Sequence, residues 1–417
     1  MAARWLLTSV AYVCAATAQC AYAQDVLTVE QAVAEAVTHN LALAAERDNL
    51  AIADTQIITA GLRPNPVLTV GTLLPESTLK QAGVSTQDAS VHTDVLLERG
   101  GKRRLRVEQA TASRSVVAAT IADRERQLRL EVQQACADVQ VAELELQLAR
   151  ENLDSFSTVV AVNRERVRAG DLAAVELERS QLAMLQFQND VRQQDARLRA
   201  ARTHLNVLLG RHADVPAPRI DGELRRDSVV ADLAVLRRAA LAQRPDLQAA
   251  REEQARTTAD TRLQVANGRI DYTVSGEFHQ QRGGGLSGRS LGAFVSVPLP
   301  LFSRNQGEIA RARAAETQAA QRLQALSADV DADIITAYSG WTTARDVLQS
   351  FEDGTLDRAR AVRATTEYAY RSGEASLVEL LDAVRALNDT MHGYYEARAD
   401  YARSLFTLES LAGKVTP

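Results

Sequence analysis

Histidine is the side chain most often used for metal binding and for proton transfer near neutral pH. The sequence contains six, at positions 39, 92, 204, 212, 279 and 392. No two are spaced as His-x-x-x-His, which would place both imidazoles on one helix face as metal ligands. His204 and His212 flank Gly210, a residue type that commonly ends helices, and no nucleophile stands beside a base in a recognisable motif. The sequence therefore predicts no enzyme, no cofactor and no metal site.

The N-terminal residues predict export. An apolar run is followed by Ala21-Tyr22-Ala23, the small-x-small pattern of a signal-peptidase site, so we expect residues 1–23 to be a cleaved signal peptide. Lipid attachment at Cys20 is the alternative, although the bulky Gln19 before it fits a lipobox badly. Cleavage leaves Cys136 as the only thiol, so no intrachain disulfide is expected.

Charge and composition narrow the class of protein. The net charge of −5 gives no basic surface for nucleic acid, so no nucleic-acid partner is expected. After residue 24 no run approaches 18 apolar residues, which predicts that no helix spans a membrane. Aromatic residues make up only 4%, and Ala, Leu, Arg, Gln and Glu dominate, a composition that favours long helices.

The chain is internally duplicated. Residues 171–210 align without a gap with 374–413, at an offset of 203 residues. Within them Val175-Glu176-Leu177 matches Val378-Glu379-Leu380. Such a steady offset predicts two copies of one unit. We assign 24–213 to the first repeat, 214–228 to a linker and 229–417 to the second repeat.

Each repeat is predicted to contain the same elements in the same order. Pro64-Asn65-Pro66 and Asn267-Gly268 end the first helix of each repeat. The predicted series is a helix (28–60 and 229–266), a strand pair (about 66–97 and 271–297) and a long helical hairpin (about 102–210 and 305–412).

The strand pairs have one apolar and one polar face. Tyr272, Val274 and Phe278 alternate with Thr273, Ser275, Glu277 and His279, the period of 2 that indicates a strand. We expect Gly- and Ser-containing loops at 74–90 and 280–290, and further strands at Val91–Leu97 and Leu291–Val297.

The hairpins begin with helices of about 100 Å, predicted over 102–168 and 305–371, the second interrupted only at Gly307, Gly340 and Gly354. Gly170 and Gly373 end these helices. Asp171 and Glu374 are expected in the first turn of the returning helix, where negative charge suits the helix dipole. The returning helices carry apolar residues seven apart, which predicts coiled-coil packing: Leu177, Met184, Val191, Leu198 and Leu205, and Leu380, Leu387, Tyr394, Tyr401 and Leu408.

Four strands per chain cannot close a membrane barrel. An open sheet edge in lipid leaves backbone groups unsatisfied, at several kcal/mol each, and bacterial barrels begin at about eight strands. Three chains would supply twelve strands and enclose a lumen. The predicted fold class is therefore mainly α with a membrane β-barrel, built by a trimer. We expect Thr273, Ser275, Glu277 and His279 to face the lumen, and His92 is a further candidate.

The mature chain resembles the TolC-type outer-membrane efflux proteins. YRSGEASLVELLDA (370–383) is similar to that family's hairpin tip, and LLERGGKRRLR (96–106) to its cobalt–zinc–cadmium resistance branch. The resemblance implies a homotrimer in the outer membrane with a large periplasmic portion, a twelve-stranded barrel above a twelve-helix tunnel, and tips closed at rest. It also implies two partners, a periplasmic adaptor and a proton-driven inner-membrane pump of the RND type.

Two groups of residues follow as candidate sites. In the family, acidic residues at the positions of Glu379 and Asp382 ring the closed constriction, and a solvated helix face is the alternative reading. The first repeat carries Glu176 and Arg179 at these positions, so the ring would come from the second repeat alone. Both tips share an Arg-x-Gly-acid pattern, which makes them candidates for adaptor docking: Arg168, Gly170 and Asp171, and Arg371, Gly373 and Glu374.

The leading interpretation is the passive exit duct of a tripartite pump for heavy-metal cations. A duct for drug efflux or type I secretion has the same architecture and stays open, because the inner-membrane partner chooses the cargo. A periplasmic coiled-coil adaptor or scaffold is the alternative of another class, but an adaptor would carry one hairpin between β-rich modules rather than two hairpins and two strand pairs.

Overall fold

The computed structural model describes residues 26–73, 87–212, 215–226, 232–282 and 288–413. The expected signal peptide, with Cys20, lies outside these residues, as do parts of the predicted loops and linker. In the first repeat the elements are β1 (Val26–Leu27), α1 (Val29–His39), α2 (Leu41–Gly61), β2 (Val67–Leu73), β3 (Gln87–Leu97), α3 (Lys102–Ala169) and α4 (Ala174–Leu208).

The second repeat follows the same order after the short strand β4 (Arg219–Ile220), which pairs with β1. Its helices and strands are α5 (Leu233–Gln243), α6 (Pro245–Asn267), β5 (Tyr272–Arg282), β6 (Gly288–Ser296), α7 (Gln306–Ser350), α8 (Leu356–Ser372) and α9 (Leu377–Leu411). A kinked turn, Phe351–Thr355, joins α7 to α8. Among the described residues, no helix has the length and apolar character needed to cross a membrane.

The first helix of each repeat is broken in two, which corrects the continuous helices predicted over 28–60 and 229–266. Asn40 leaves the helical conformation, accepts from the backbone N–H of Leu43 and donates to the carbonyl of Leu208. The buried Arg244 also leaves the helical conformation, without a capping bond from its side chain, because a residue that precedes proline disfavours the helical region. Each break turns the chain so that both pieces pack against the long helices.

The two long helices differ. The helix α3 runs unbroken for 68 residues, as expected. Its counterpart is interrupted at Gly354 (φ +97°), whereas Gly307 and Gly340, also predicted as interruptions, lie inside regular helix α7. Phe351, at the start of the kink, occupies the space beside Gly393 of α9, where an added Cβ would come within 2.8 Å of its ring. The kink is therefore packed against the returning helix of its own hairpin.

The four long strands form one antiparallel sheet in the order β2-β3-β5-β6. The strand β3 begins at Gln87 and β5 continues to Arg282, so both extend into segments that were predicted as loops. Their polar residues had suggested loops, but every one of these positions is paired across β3 and β5. The predicted mainly α fold with four strands and two hairpins is confirmed.

The helices bury their apolar stripes in separate clusters along the molecule. Cys136 lies at the centre of the first-repeat cluster, and burial raises its pKa to about 12, which makes it an inert packing residue. Trp341 and Tyr401 anchor the corresponding cluster of the second repeat. Further clusters join α3 and α4 to α8 and α9, among them one that contains Phe156 and Leu380. The two hairpins therefore pack side by side along their length.

Candidate functional site: hairpin tips and the polar face of the sheet

Both hairpin tips turn through a left-handed glycine. Gly170 has φ +85° and Gly373 has φ +80°, and nothing lies within 4 Å of a Cβ added at Gly170, so the backbone conformation alone requires glycine there. The N–H groups of Asp171 and Glu374 donate to carbonyls five residues back, at 2.8 Å in both tips. These bonds satisfy the free carbonyls at the helix ends and fix the two turns in the same geometry.

The acidic residues after these glycines do not lie where the sequence suggested. The returning helices begin only at Ala174 and Leu377, so Asp171 and Glu374 lie in the exposed tip loops and not in a first helical turn. The acidic residues of the first turns are Glu176 and Glu379. Sequence reasoning started each returning helix too early, at Asp171 and at Glu374. The residues between the tip glycine and the true start of the helix carry no clear turn signal.

The two tips differ in how the returning helix begins. In the second tip Ser376 and Glu379 form a capping box: the N–H of Ser376 donates to the Glu379 carboxylate at 2.6 Å, and the N–H of Glu379 donates to the Ser376 hydroxyl at 3.3 Å. These contacts hold the pKa of Glu379 below its usual value, so the carboxylate stays charged. In the first tip Ala173 stands at the cap and supplies no side-chain bond.

The predicted constriction residues are both exposed on the start of α9. Asp382 lies 3.5 Å from Arg385 on the same helix. Glu379 and Asp382 also border a shallow groove between α8 and α9 that is otherwise formed by small residues such as Thr366 and Ala383. In the first repeat the equivalent Glu176 is paired with Arg179 at 2.7 Å.

The predicted docking arginines each pair with a carboxylate of their own helix. Arg168 lies 2.7 Å from Glu165, and Arg371 lies 2.6 Å from Glu367. Exposed pairs of this kind contribute roughly 0–1 kcal/mol. These pairs hold the guanidinium groups at the surface. A partner protein could replace the paired carboxylates at little energetic cost.

A buried polar seam between the two hairpins was not foreseen. The Tyr370 hydroxyl donates to the Asn163 side chain at 2.8 Å, and Asn163 is fully buried. Asn152 donates to Asn388 at 2.7 Å, and Arg363 donates to Ser155 at 2.7 Å. One feature of the sequence could have indicated this seam: Asn163 continues the buried series of Phe156 and Val160 at helical spacing.

The polar face of the sheet gathers the predicted lumen residues. Thr273, Ser275, Glu277 and His279 lie on one face of β5, and the pairing register places alternate residues of β3 beside them. Those of β3 are Asp88, Ser90, His92 and Asp94. His92 lies 2.8 Å from Asp94, Ser275 donates to Asp94, and His279 contacts Asp88. Sequence reasoning missed Asp88 and Asp94, although their alternation with Ala89 and Val95 was visible.

The opposite face of the same sheet is apolar and exposed. The residues concerned include Val70, Val91, Val95, Val274, Phe278, Leu291 and Val295. An exposed apolar patch of this extent indicates a surface that is covered by another apolar medium or chain.

Below the sheet, the GGKR turn is a buried ionic junction. Gly100 and Gly101 have φ +74° and +72°, which brings Lys102 back under the strands. Its ammonium donates to Asp271 at 2.6 Å and to the carbonyl of Arg269 at 2.9 Å. The pKa of Asp271 is lowered because the Lys102 bond and the N–H of Arg99 outweigh its burial. The junction ties the first strand pair to the start of the second.

Neither the tips nor the sheet carries an arrangement typical of catalysis. In the ranges that the structure describes, no group of three or more His, Cys, Asp or Glu side chains is arranged to hold a metal ion. The arrangement consists of a sheet with one polar and one apolar face, joined to paired helical hairpins whose tips are charged and exposed. These are the features of a subunit of an outer-membrane channel.

Comparison with known proteins gives the family. The model of the outer membrane efflux protein family matches residues 32–211 and 236–414, and the chain belongs to this family. The cobalt-zinc-cadmium resistance protein CzcC of Cupriavidus metallidurans is 24% identical over 389 residues, which cover 93% of this chain and 90% of CzcC.

Solved structures share the fold. CusC, described as a transmembrane channel, matches with a TM-score of 0.76 at 16% identity over 93% of this chain and 92% of its own. The Campylobacter jejuni outer membrane channel CmeC matches with a TM-score of 0.77 at 13% identity, over 93% of this chain and 87% of its own.

Proposed function

We propose that this protein is the outer-membrane duct of a tripartite efflux system and that it carries heavy-metal cations out of the periplasm. The observation that carries the proposal is the four-stranded sheet, which has one apolar face and one polar face, and whose two edges pair with no other strand among the described residues. Such a sheet is unsuited to exist alone in lipid, where every backbone group needs a partner.

The two free edges are complementary. The strand β2 runs away from the hairpins and β6 runs back toward them, so β6 of one chain can pair with β2 of a neighbour in the antiparallel sense. Three chains joined in this way give twelve strands, and their six hairpins form a twelve-helix tunnel. The apolar face then contacts lipid, and Thr273, Ser275, Glu277 and His279 face the lumen. The chain would work as a homotrimer in the outer membrane with a large periplasmic portion.

At the other end, we propose that the tips dock a periplasmic adaptor, which connects the duct to an inner-membrane pump of the RND type. The docking residues would be Arg168, Gly170, Asp171, Arg371, Gly373 and Glu374. Support comes from the matched geometry of both turns and from arginines whose surface pairs are easily exchanged. Cysteines placed at 169 and 372 should cross-link to the adaptor hairpin, and capture only near the barrel would contradict this docking.

Glu379 and Asp382 would place six carboxylates around the closed mouth of a trimer, which favours cations. The capping box supports this arrangement, because it holds Glu379 charged and oriented at the start of α9. The double variant Glu379→Ala/Asp382→Ala should weaken block by divalent cations, with Glu176→Ala as the matched first-repeat control. Equal block in the wild type, the double variant and Glu176→Ala would contradict the acidic ring.

Heavy-metal cargo is supported by the similarity to CzcC across nearly the whole chain. The adaptor or scaffold alternative fits the described residues less well, because they contain two hairpins and a four-stranded sheet. To test the function, outer-membrane fractions should be run unheated on a gel, and zinc, cobalt and cadmium tolerance compared with and without the gene. A trimer-sized band and a metal-specific loss of tolerance are expected. A soluble periplasmic monomer would contradict the duct, and loss of drug tolerance alone would contradict the metal cargo.

A further inference from the structure

We propose that exposed arginines at the end of the sheet nearest the helices bind the headgroups of anionic phospholipids in the periplasmic leaflet of the outer membrane. The arginine collar, as we call this group, consists of Arg63, Arg99, Arg103, Arg269 and Arg304. The proposal rests on the proposed function, because only a sheet embedded in the outer membrane brings this end to the headgroups of that leaflet. It adds a specific lipid partner to the duct.

The sheet brings the collar together from four segments of the chain. Leu97, at the end of β3, is paired with Tyr272, at the start of β5, and Ser296, the last residue of β6, is paired with Thr273. The start of β2 lies at the same end, because Val67 is paired with Asp94. All four strands therefore meet their helices or turns at one end of the sheet. The collar residues lie in the segments that follow or precede these strand ends, and all five are exposed.

This end of the sheet is strongly basic in an acidic chain. The segments 61–66, 97–106, 267–272 and 298–306 contain eight basic residues and two carboxylates, a net charge of +6, whereas the whole chain carries −5. Both carboxylates are already neutralised, Glu98 by Arg106 and Asp271 by Lys102. An excess of positive charge therefore remains at the surface.

The collar guanidinium groups themselves carry this excess. Among the described residues, no carboxylate lies within ion-pair distance of any of the five. Nε of Arg103 donates to the carbonyl of Gly61 at 2.5 Å, and Nε of Arg304 donates to the carbonyl of Pro300 at 3.3 Å. A carbonyl orients a guanidinium but does not neutralise it, so a partner with negative charge is the complementary one.

Arg99 lies where the apolar face of the sheet meets the collar. Val95 and Leu97 alternate onto the apolar face, and Leu97 is paired with Tyr272. The guanidinium of Arg99 lies 4.8 Å from the centroid of the Tyr272 ring and donates to its hydroxyl. A tyrosine at the border of an apolar band is typical of a membrane interface, where the ring contacts acyl chains and its polar end reaches the headgroups. Arg99 is therefore held at headgroup level.

Arg269 reaches the same turn. A Cβ added at Gly100, next to Arg99, would come within 2.8 Å of the Arg269 Cδ, so this side chain packs directly on the glycine. Arginines from the two repeats thus meet beside Tyr272. Phosphate is the group that a guanidinium binds best with two parallel hydrogen bonds.

Exposed apolar residues beside the collar indicate a phospholipid rather than a soluble anion. Leu299, Leu301 and Phe302, between β6 and α7, are 75%, 70% and 91% exposed, and Arg304 follows two residues later. A free phosphate would bind the arginines and leave these side chains in water. A phospholipid covers both, because its acyl chains contact the apolar residues while its headgroup reaches the arginines.

The preference for an anionic lipid can be measured on the wild-type protein. The trimer, purified in a neutral detergent, is mixed with phosphatidylglycerol or with phosphatidylcholine of the same acyl chains, and the lipids retained per trimer are counted by native mass spectrometry. More phosphatidylglycerol than phosphatidylcholine should be retained, and higher ionic strength should reduce the difference. Equal retention of the two lipids would overturn the site.

Variants then locate the binding. Arg99→Gln/Arg269→Gln should weaken phosphatidylglycerol binding by about thirty-fold and leave phosphatidylcholine unchanged. The matched control Arg150→Gln/Arg358→Gln removes the same charge from exposed positions on α3 and α8 and should bind phosphatidylglycerol like the wild type. Equal loss in both double variants would show a general effect of charge and would overturn the collar.

Two other occupants give different results. If millimolar inorganic phosphate displaces phosphatidylglycerol from the wild type, the arginines bind free anions and the lipid site is wrong. If Arg99→Gln/Arg269→Gln dissociates the trimer without loss of bound phosphatidylglycerol, the arginines contact a neighbouring copy and the site is also wrong. An assembled outer-membrane trimer without lipid preference refutes the collar alone, whereas a chain that forms no such trimer refutes the proposed function.

Discussion

The buried hydrogen bond between Tyr370 and Asn163 predicts how firmly the two hairpins are held together near their tips. Tyr370 is 6% exposed and Asn163 is 0% exposed, and their side-chain oxygens are 2.8 Å apart. The Asn163 amide nitrogen has no partner in the structure. The change Tyr370→Phe keeps the ring and its packing but leaves Asn163 as a buried amide with neither group satisfied.

The magnitude follows from the burial. Leaving a buried acceptor unsatisfied costs about 1–3 kcal/mol, whereas replacing both partners by apolar groups of similar shape is close to neutral. The single variant should therefore favour separation of the hairpins by about 5- to 150-fold per chain. The double variant Asn163→Leu/Tyr370→Phe should recover most of this loss, because no polar group then remains buried without a partner.

Hydrogen exchange of the assembled protein, read by mass spectrometry on peptides from both tips, measures this equilibrium directly. We expect faster exchange in tip peptides of Tyr370→Phe, with the peptides around Cys136 unchanged as an internal reference. Exchange in the double variant should lie near that of the wild type. Unaltered tip exchange in the single variant, or a double variant that exchanges faster than the single one, would refute the reasoning.

Three further predictions concern the second repeat. Replacing the cap residue, Ser376→Ala, should destabilise the start of α9 by about 0.5–2 kcal/mol. Hydrogen exchange should then become faster in the first turn of α9 alone, and an equal increase along the whole helix would contradict this prediction. Gly354→Ala should cost about 1–3 kcal/mol because φ is +97° there, whereas Gly340→Ala inside regular helix should stabilise by about 0.5–1 kcal/mol; thermal unfolding compares the two, and equal shifts would contradict the assignment of the kink. The pKa of His392 is raised because the Glu145 carboxylate accepts its hydrogen bond, so its stabilisation is present below about pH 6.5 and is lost as the pH rises through the raised value. His392→Gln should flatten this pH dependence, and an unchanged profile would exclude the pair as its source.

Much of the fold could be predicted because it rests on periodic patterns. The period of 2 in β5 fixed which residues share a face, and the register confirms that Thr273 and Ser275 lie with Glu277 and His279. The heptad series of α9 identified its buried stripe, since Leu380 and Leu408 are almost fully buried. A pattern that repeats along many residues is robust, because each additional turn or strand pair supplies independent agreement.

Single-residue features were less predictable. Gly340 and Gly354 look alike in the sequence, but only Gly354 lies in a break of the helix, next to the point where Phe351 packs against Gly393. Asn40 interrupts a pattern that reads as continuous helix, because its side chain bonds to Leu208 on a distant helix. Such features depend on a partner far away in the sequence.

The sequence by itself determined the duplicated order of elements, the two faces of the sheet and the glycines that close both tips, because these depend on local geometry and on residue periodicity. Only the tertiary structure decided which residues from different repeats meet: Tyr370 with Asn163 at the tips, and Asp88 with His279 on the sheet. The two members of each pair are about two hundred residues apart along the chain. Their contact arises from the packing of whole helices and strands, which a local pattern of residues does not determine.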